Sequence, residues 1–148
     1  MRRTPLKRTQ RLRPRTKKRA AQDRQDSATL EAFALENSTC WICGQADSPW
    51  KRLEIHHLAG RKHPQRNARA NLAKLCSACH ETRFTNASGD YMLPLDRLAV
   101  ALAYKFVHDS EHFDRELVLL IAGYAPTAVT VAELAVLVSL IRKERISP

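Results

Sequence analysis

The four cysteines of the chain fall into two Cys-x-x-Cys pairs, Cys40 with Cys43 and Cys76 with Cys79. The short spacing lets both sulfurs of a pair reach one ion around a tight turn, and four thiolates form the closed site typical of structural zinc. We expect no signal peptide and a reducing compartment, which favours metal binding over disulfides. The 32 residues between the pairs exceed the roughly 15 to 20 of a simple zinc ribbon. The pattern therefore predicts a zinc site that fixes both ends of an insertion made of a strand, a loop and a second strand.

The positive charge of the chain is concentrated near its N-terminus. The 148 residues carry a formal net charge of +10, and ten of the 25 cations lie between Arg2 and Arg19. A segment this basic, with little to bury, is expected to be disordered when free and to bind a polyanion such as DNA or RNA. A solubilising or targeting arm is the alternative. The predicted DNA contacts of this arm are Arg11, Arg13, Arg15, Lys17, Lys18 and Arg19.

The insertion between the cysteine pairs contains a predicted strand and a basic loop. Side chains alternate in character over residues 50–57, which indicates the strand. Residues 59–69 are polar and cationic and interrupted by a proline, which indicates a loop. Its cations would bind backbone phosphates without reading bases, and a solvated loop is the alternative. The cations of this loop are Arg61, Lys62, Arg66 and Arg69.

The other segments are predicted to be helical, and no apolar stretch is long enough to span a bilayer. The expected helices are residues 27–37 with Ser27 as N-cap, a helix with Pro94 in its first turn, residues 114–122 before Gly123, and a last helix opened by the capping box Thr130-x-x-Glu133. In the second of these, apolar residues at helical spacing predict one buried face. They are Leu95, Leu98, Leu102 and Phe106.

Four short motifs in a fixed order resemble the HNH nuclease family over residues 39–84. They are the first cysteine pair, Glu54-Ile55-His56-His57, Asn71-Leu72 and Leu75-Cys76-x-x-Cys79-His80. Each motif alone is weak, because a pair of histidines or a single asparagine is common in structural roles, but the ordered set is specific. The resemblance implies a ββα-metal fold, in which a hairpin, a loop and a helix surround one catalytic ion.

The resemblance also implies roles for individual residues. His57 would be the general base that activates water, which a neutral imidazole can do near pH 7. His56 and His80 would bind the catalytic metal, and Asn71 would orient the loop that carries the base. The products implied for the family are a 5′-phosphate and a 3′-hydroxyl. Glu54 would support the metal site or an arginine, or occupy a plain exposed strand position.

The sequence departs from the family's pattern at two positions. Many members have Asp where His56 stands, and some with the His-His version add a third histidine where this chain has Phe84. Two protein ligands would leave open positions for water and phosphate, which favours Mg²⁺ or Mn²⁺ without ruling out Zn²⁺ or Ni²⁺. The remaining histidines match no motif and are predicted to be surface residues. They are His63, His108 and His112.

The sequence as a whole predicts an α+β protein: a small ββα-metal module, also called a His-Me finger, stapled by zinc and followed by a helical part. The predicted divisions are a disordered basic arm (1–26), an HNH nuclease module (27–90) and a helical C-terminal extension (91–148). We expect a metal-dependent DNA endonuclease of phage or prophage origin, acting in the cytoplasm of a bacterial host and away from membranes. The alternatives are a non-catalytic, zinc-stabilised nucleic-acid-binding module and an adaptor that binds phage packaging or recombination proteins.

Overall fold

The computed structural model describes residues 16–84 and 94–146. Its elements in chain order are α1 (Lys17–Glu36), β1 (Leu53–His57), β2 (Leu72–Cys76), α2 (Ser77–Cys79) with the π-helical turn that continues it (His80–Phe84), α3 (Leu95–His108), α4 (Arg115–Ile121) and α5 (Val131–Ile146). The two strands form an antiparallel sheet that is followed directly by a helix. The predicted α+β fold, with a ββα unit and a helical C-terminal part, is confirmed.

Helix α1 begins at Lys17, well before the predicted start at Ser27. Thr16 is its N-cap and accepts a hydrogen bond from the backbone N–H of Arg19 at 3.3 Å. Residues 17–26, predicted as part of a disordered arm, are helical because Ala, Lys, Arg and Gln dominate this stretch and favour helix once a cap starts it. The part of the arm that precedes Thr16 lies outside the described residues.

The β-hairpin pairs Leu53 with Cys76 at its open end and His57 with Leu72 at its closed end. The strand predicted over residues 50–57 starts only at Leu53, because β2 ends at Cys76 and the preceding residues form a separate turn. Every residue of β2 is buried, so protein covers both of its faces. Strand β1 carries the more accessible side chains of the hairpin.

The helical C-terminal part begins and ends at the predicted signals. Pro94 precedes α3, and Asp114 caps α4 by accepting a hydrogen bond from a backbone N–H of its first turn. Gly123 follows α4 with φ at +78°, a conformation that suits a residue without a Cβ. Thr130 and Glu133 hydrogen-bond each other reciprocally at the start of α5, which confirms the capping box.

The predicted face of α3 is fully buried at two of its four positions, and Leu95 is half-buried. Leu98 and Leu102 are fully buried, but 40% of Phe106 is exposed. The Phe106 ring packs edge-on against Phe113, with centroids 5.2 Å apart. The neighbouring Lys105 takes the inward position instead, because its ammonium group finds partners inside the protein.

Lys105 connects the helical part to the hairpin. Its Nζ donates to the backbone oxygen of Arg69 at 2.7 Å, to that of Leu72 at 3.3 Å and to a carboxylate oxygen of Asp109 at 2.7 Å. A charged group is tolerated in the interior only when it is paired and hydrogen-bonded in this way. The contacts hold α3 against the start of β2, next to Asn71.

The buried apolar side chains of the hairpin and of the helices form one core. Phe33 of α1, Leu72 of β2, Leu102 of α3 and Leu119 of α4 are fully buried members of it. The apolar faces of the C-terminal helices are therefore packed against the zinc-binding part. Among the described helices, none combines the length and the apolar character that crossing a membrane requires.

A candidate metal-dependent active site

The four cysteine sulfurs lie together at the open end of the hairpin. All four are within 4.8 Å of one another, and the Sγ atoms of Cys43 and Cys76 are 3.7 Å apart. Four sulfurs bound tetrahedrally to one zinc ion through ~2.3 Å bonds would be roughly 3.8 Å apart. The cluster therefore has the dimensions of a structural zinc site, as the spacing of the cysteines predicted.

The turn at the first cysteine pair is shaped to stabilise a thiolate. Gly44 closes it with φ at +72° and donates its N–H to the backbone oxygen of Cys40 at 2.9 Å. Burial raises the pKa of the Cys40 thiol, but hydrogen bonds from the backbone at Cys43, Cys76 and Ile42 outweigh it and lower the pKa to about 7. The thiolate is the form that binds metal, so this turn prepares Cys40 as a ligand.

The hairpin and the helix that follows it bring His56 and His80 into contact. Their ring centroids are 4.7 Å apart and the ring planes are inclined by 61°. Two imidazoles bound to one ion through ~2.1 Å bonds at about a right angle have centroids roughly 4.5 Å apart. Burial, with smaller contributions from His80, His57 and Arg61, lowers the pKa of His56 to about 3. His56 is therefore neutral at physiological pH, the form that a metal ligand needs.

Glu54 fixes the orientation of the His80 ring. One of its carboxylate oxygens lies 2.8 Å from Nδ1 of His80, so Nε2 is the nitrogen that would bind a metal. Of the two readings that the sequence left open for Glu54, the structure favours the one in which it supports the metal site. A third histidine ligand would correspond to Phe84, whose side chain lies outside the described part of the structure.

His57 is the last residue of β1 and shares its parity with Ile55 rather than with His56. Its Nε2 lies 2.8 Å from Oδ1 of Asn67, and Nε of Arg61 donates to its Nδ1 at 3.3 Å. Burial lowers the pKa of His57, the Asn67 hydrogen bond opposes this, and the charges of Arg61 and Arg66 add smaller downward effects. The imidazole is therefore neutral near pH 7, as a general base must be.

Asn71 holds the loop that follows His57. Its side chain is fully buried, accepts a hydrogen bond from the backbone N–H of Ala59 at 2.7 Å, and donates to the backbone oxygens of Arg66 at 2.8 Å and Gly60 at 3.3 Å. These three bonds use both polar atoms of the amide and leave little freedom to the turn. The contacts are those expected of a residue that orients the loop carrying a base.

The four cations of the loop lie in different surroundings. Arg61 and Lys62 are exposed. Arg66 is half-buried beside His57, and Arg66 and His57 both line a cavity of about 350 Å³. The guanidinium of Arg69 is paired instead with Glu36 and Asp109. Arg69 thus has a structural role in the free protein that its position in the sequence did not indicate.

The cations at the start of α1 are exposed, as binding to phosphates would require. They are Lys17, Lys18 and Arg19. The remaining cations predicted to contact DNA from the arm lie outside the described residues. They are Arg11, Arg13 and Arg15.

Three histidines were predicted to be surface residues, and two of them are half-buried. His108 is half-buried and stacks on Trp41, with centroids 5.2 Å apart and planes inclined by 4°. His63 is half-buried and accepts a hydrogen bond from the backbone of its own loop. His112 is 41% exposed and lies 2.8 Å from a carboxylate oxygen of Asp109. The stacking partner of His108 is 67 positions away in the chain, so no local pattern could have indicated it.

Two residues beside His57 were missed by the sequence interpretation. Asn67 contacts the His57 ring, and Asp26 of α1 accepts a hydrogen bond from Nδ2 of Asn67 at 2.8 Å. Neither belongs to a motif with a fixed spacing. Asp26 also lay in the segment predicted to be disordered, so the sequence carried no signal for this contact.

Comparison with known proteins identifies the segment that carries this site. No curated protein and no solved structure gives a significant match to the chain. The sequence model of the HNH endonuclease family matches residues 40–84, the segment from the first zinc-site cysteine to the end of the π-helical turn. The cysteine cluster, the hairpin and the paired histidines all lie within it, and residues 40–84 of the chain therefore match the HNH endonuclease family.

Proposed function

We propose that this protein is a metal-dependent DNA endonuclease whose HNH domain hydrolyses phosphodiester bonds. The observation that carries the proposal is the contact between His56 and His80, with centroids 4.7 Å apart, inside the segment that matches the family. Glu54 orients one ring of the pair, and His57 follows directly on the same strand. Such an arrangement suits the binding of one divalent ion beside a neutral base.

The role we assign to His57 is that of general base. It would take a proton from a water molecule while the water oxygen forms a bond to phosphorus and the bond from phosphorus to the 3′ oxygen breaks. The departing 3′ oxygen would receive its proton from solvent, which gives a 5′-phosphate and a 3′-hydroxyl. Asn71 would keep the turn after His57 in place through its three hydrogen bonds.

His56 and His80 would hold the catalytic ion, with Glu54 fixing the ring of His80. A bound divalent cation supplies positive charge that stabilises the reacting phosphate and the leaving oxygen. Two protein ligands leave room for water and phosphate, for which Mg²⁺ or Mn²⁺ is the best fit, with Zn²⁺ or Ni²⁺ as alternatives. The four cysteines would hold a separate structural zinc ion.

Exposed cations near His57 would bind the DNA backbone. Arg61 and Lys62 are exposed on the loop, Arg66 lies half-buried behind them, and further cations begin α1. Such contacts act on phosphates and do not depend on base sequence. Binding is then expected to weaken with salt, by a log–log slope of about 0.9 for each phosphate neutralised on duplex DNA.

The test is nicking of supercoiled plasmid in Mg²⁺ and in Mn²⁺ by the wild type, by His57→Ala and by the control His63→Ala. His63 lies in the loop that follows His57, and its Nδ1 accepts a hydrogen bond from the backbone N–H of Gln65. All three proteins are compared at matched zinc content. We expect cleavage by the wild type and the control, loss of cleavage with EDTA, and loss in His57→Ala. Equal nicking by His57→Ala would refute the assigned base.

A protein that binds plasmid but cuts no plasmid, branched or single-stranded substrate would instead be a zinc-stabilised nucleic-acid-binding module. The exposed cations would serve that function without the histidines.

We place the protein in the cytoplasm of a bacterial host and in contact with phage packaging or recombination proteins. Pull-down from the native host, with and without digestion of DNA, tests these partners, because a contact through DNA alone disappears on digestion.

A further inference from the structure

Two successive hydrogen bonds connect helix α1 to the ring of His57. Asn67 donates from Nδ2 to a carboxylate oxygen of Asp26 at 2.8 Å. The amide oxygen of the same Asn67 lies 2.8 Å from Nε2 of His57. The second carboxylate oxygen of Asp26 accepts from the side chain of Gln22, also at 2.8 Å. The contact between Asp26 and Asn67 spans 41 positions of the chain, so it joins two separate elements beside the base.

The direction of each bond follows from the one before it. An ionised carboxylate only accepts hydrogen bonds, so the NH₂ group of Asn67 must face Asp26. The amide oxygen of Asn67 then faces His57, and because this oxygen only accepts, Nε2 of His57 must carry the proton. A neutral imidazole has one ring proton, so Nδ1 of His57 keeps its lone pair.

Arg61 provides an independent check on this assignment. Its Nε can only donate, and it points at Nδ1 of His57 at 3.3 Å. That contact requires a lone pair on Nδ1, the arrangement that Asp26 and Asn67 impose from the other side of the ring. Because Arg61 is exposed and cationic, a DNA phosphate can compete for it and leave Nδ1 open to water.

We propose that Asn67 and Asp26 are positioning residues that fix the tautomer of His57 so that Nδ1 is the atom that takes the proton from water. The inference rests on the proposed function, in which His57 is the general base. After the transfer the imidazolium carries a proton on each nitrogen, and Nε2–H still donates to Asn67. Neither positioning residue gains or loses a proton in this step.

The surroundings of Asp26 suit this role. A hydrogen bond from Gln22 lowers the pKa of Asp26, burial opposes it, and the Asn67 hydrogen bond and the charge of Arg66 help to hold the pKa below its ordinary value. Asp26 is therefore a carboxylate at neutral pH, as the argument requires. The helix that carries Asp26 begins with the cations proposed to bind DNA, so one element supports both the substrate contact and the base.

A purely structural role, in which Asp26 only fastens α1 to the loop, is the competing explanation. The two are distinguished by comparing Asn67→Ala and Asp26→Ala with Glu31→Ala, which removes an exposed carboxylate from the same helix. The exchange variant Asp26→Asn with Asn67→Asp completes the set. In it the new carboxylate at position 67 can accept from both Nε2–H of His57 and the new amide at position 26, so the bond from His57 keeps its direction while the bond between positions 67 and 26 is reversed.

We expect Asn67→Ala to lower kcat for plasmid nicking by about 10- to 100-fold, the usual effect of removing such a supporting contact, with KM changed by no more than about 2-fold. Asp26→Ala should lower kcat less, because Asn67 can still turn its oxygen toward the ring for part of the time. The exchange variant should recover to within about 5-fold of the wild type. Glu31→Ala should match the wild type. Unchanged kcat in both single alanine variants refutes the proposal, and so does an exchange variant as slow as Asn67→Ala.

The tautomer itself gives a second readout that a structural role would not move. Long-range ¹H–¹⁵N spectra of the zinc-loaded protein, without catalytic metal and with His57→Gln for assignment, report which ring nitrogen carries the proton. We expect Nε2–H in the wild type and in Glu31→Ala, and a mixture of tautomers in Asn67→Ala and Asp26→Ala. An unchanged Nε2–H signal in both variants refutes the proposal even if their activity falls.

These readouts separate this inference from the proposed function. Cleavage by the wild type that is lost in His57→Ala, together with full activity of Asn67→Ala and Asp26→Ala, overturns the positioning role alone. A wild type that cuts no substrate overturns the catalytic assignment, and the inference falls with it. In that case the spectra still establish whether Asn67 and Asp26 set the tautomer of His57.

Discussion

A carboxylate oxygen of Glu54 lies 2.8 Å from Nδ1 of His80, although the two residues are 26 positions apart. The contact joins β1 to the π-helical turn, and it leaves Nε2 of His80 as the nitrogen that would bind a metal in the proposed site. Carboxylates in this position raise the basicity of the histidine and hold its ring. The pair therefore gives a direct test of where the catalytic metal binds.

Glu54→Gln should weaken binding of the catalytic metal and leave the structural zinc bound. Because the amide cannot hold the His80 ring as a carboxylate does, we expect the Mn²⁺ concentration for half-maximal nicking to rise by about 10- to 100-fold. Zinc content, measured by elemental analysis, should stay the same. Glu81→Gln is the control, since the carboxylate of Glu81 contacts Ser77 instead. Equal Mn²⁺ requirements in the two variants would show that the metal does not bind at His80.

Removing the structural metal should unfold the HNH domain rather than only inactivate it. Cys40→Ser takes one ligand from the four-sulfur cluster, and the free energy of binding such a zinc ion, roughly 10–16 kcal/mol in small zinc peptides, is largely folding energy. We expect loss of bound zinc and of the cooperative thermal transition. Ser77→Ala, next to the cluster but exposed, should keep both. A Cys40→Ser protein that melts like the wild type would argue that the cluster is not a zinc site.

The arrangement of short motifs was predictable from the sequence because each one depends on local geometry. The cysteine spacing predicted the sulfur cluster, because that pattern reflects a tight local turn. The ββα unit was implied by the resemblance of the ordered motifs, with His56, Asn71 and His80, to the HNH family. The assignment of general base and metal ligands to these residues stays a prediction until the variants are measured.

Long-range polar contacts were not predictable from the sequence. Lys105 is fully buried because two backbone oxygens of a distant segment accept hydrogen bonds from its ammonium group. Nothing in the sequence of its own helix indicates these two partners. Asn67 and Asp26 meet across 41 positions for the same kind of reason. The early start of α1 was missed because its charge was interpreted as disorder, while the cap at Thr16 and the helix-favouring residues after it outweigh that repulsion.

Asn71→Ala should lower both stability and activity. The substitution leaves the backbone N–H of Ala59 and two backbone oxygens without their buried partner, which we expect to lower the free energy of unfolding by about 2–3 kcal/mol. Urea unfolding measures this, and plasmid nicking measures the release of the turn after His57. Gln65→Ala, an exposed position of the same loop, should change neither. Full stability of Asn71→Ala would mean that other contacts hold the turn.

The Asp109 cluster should make stability depend on pH in the acid range. Burial raises the pKa of Asp109, but hydrogen bonds from Lys105 and His112, with the charges of Lys105 and Arg69, outweigh it and place the pKa below the ordinary 3.8. A folded pKa below the unfolded one means that ionised Asp109 stabilises the fold above pH 3.8, and that this stability is lost as pH falls through the folded pKa.

Asp109→Asn should therefore be less stable than the wild type near pH 6, and the difference should shrink as the pH falls below about 4. Urea unfolding at a series of pH values measures both proteins. Asp96→Asn, which removes an exposed acid from α3, the helix that Asp109 caps, is the control for the loss of one negative charge. If the difference in free energy of unfolding between Asp109→Asn and the wild type stays constant down to about pH 2.5, protonation of Asp109 does not cause the loss of stability in acid.

Arg61 and Arg69 lie on the same loop, but removing Arg61 should affect DNA binding and removing Arg69 should affect stability. Arg61 is exposed beside His57, so Arg61→Ala should weaken DNA binding and lower the log–log salt slope by about 0.9, one phosphate contact, with little change in stability. Arg69 is paired with Glu36 and Asp109 and is 20% exposed, so Arg69→Ala should lower the free energy of unfolding by roughly 1–2 kcal/mol and leave the salt slope unchanged.

Binding to a short duplex at several salt concentrations, together with urea unfolding, separates the two arginines. A lower slope in Arg69→Ala would mean that its ion pairs open on DNA binding and that the loop reaches the backbone with all four of its cations. An unchanged slope in Arg61→Ala would place the phosphates elsewhere, on Lys62 or on the start of α1. The second outcome would also remove the reason for a phosphate to draw Arg61 away from Nδ1 of His57.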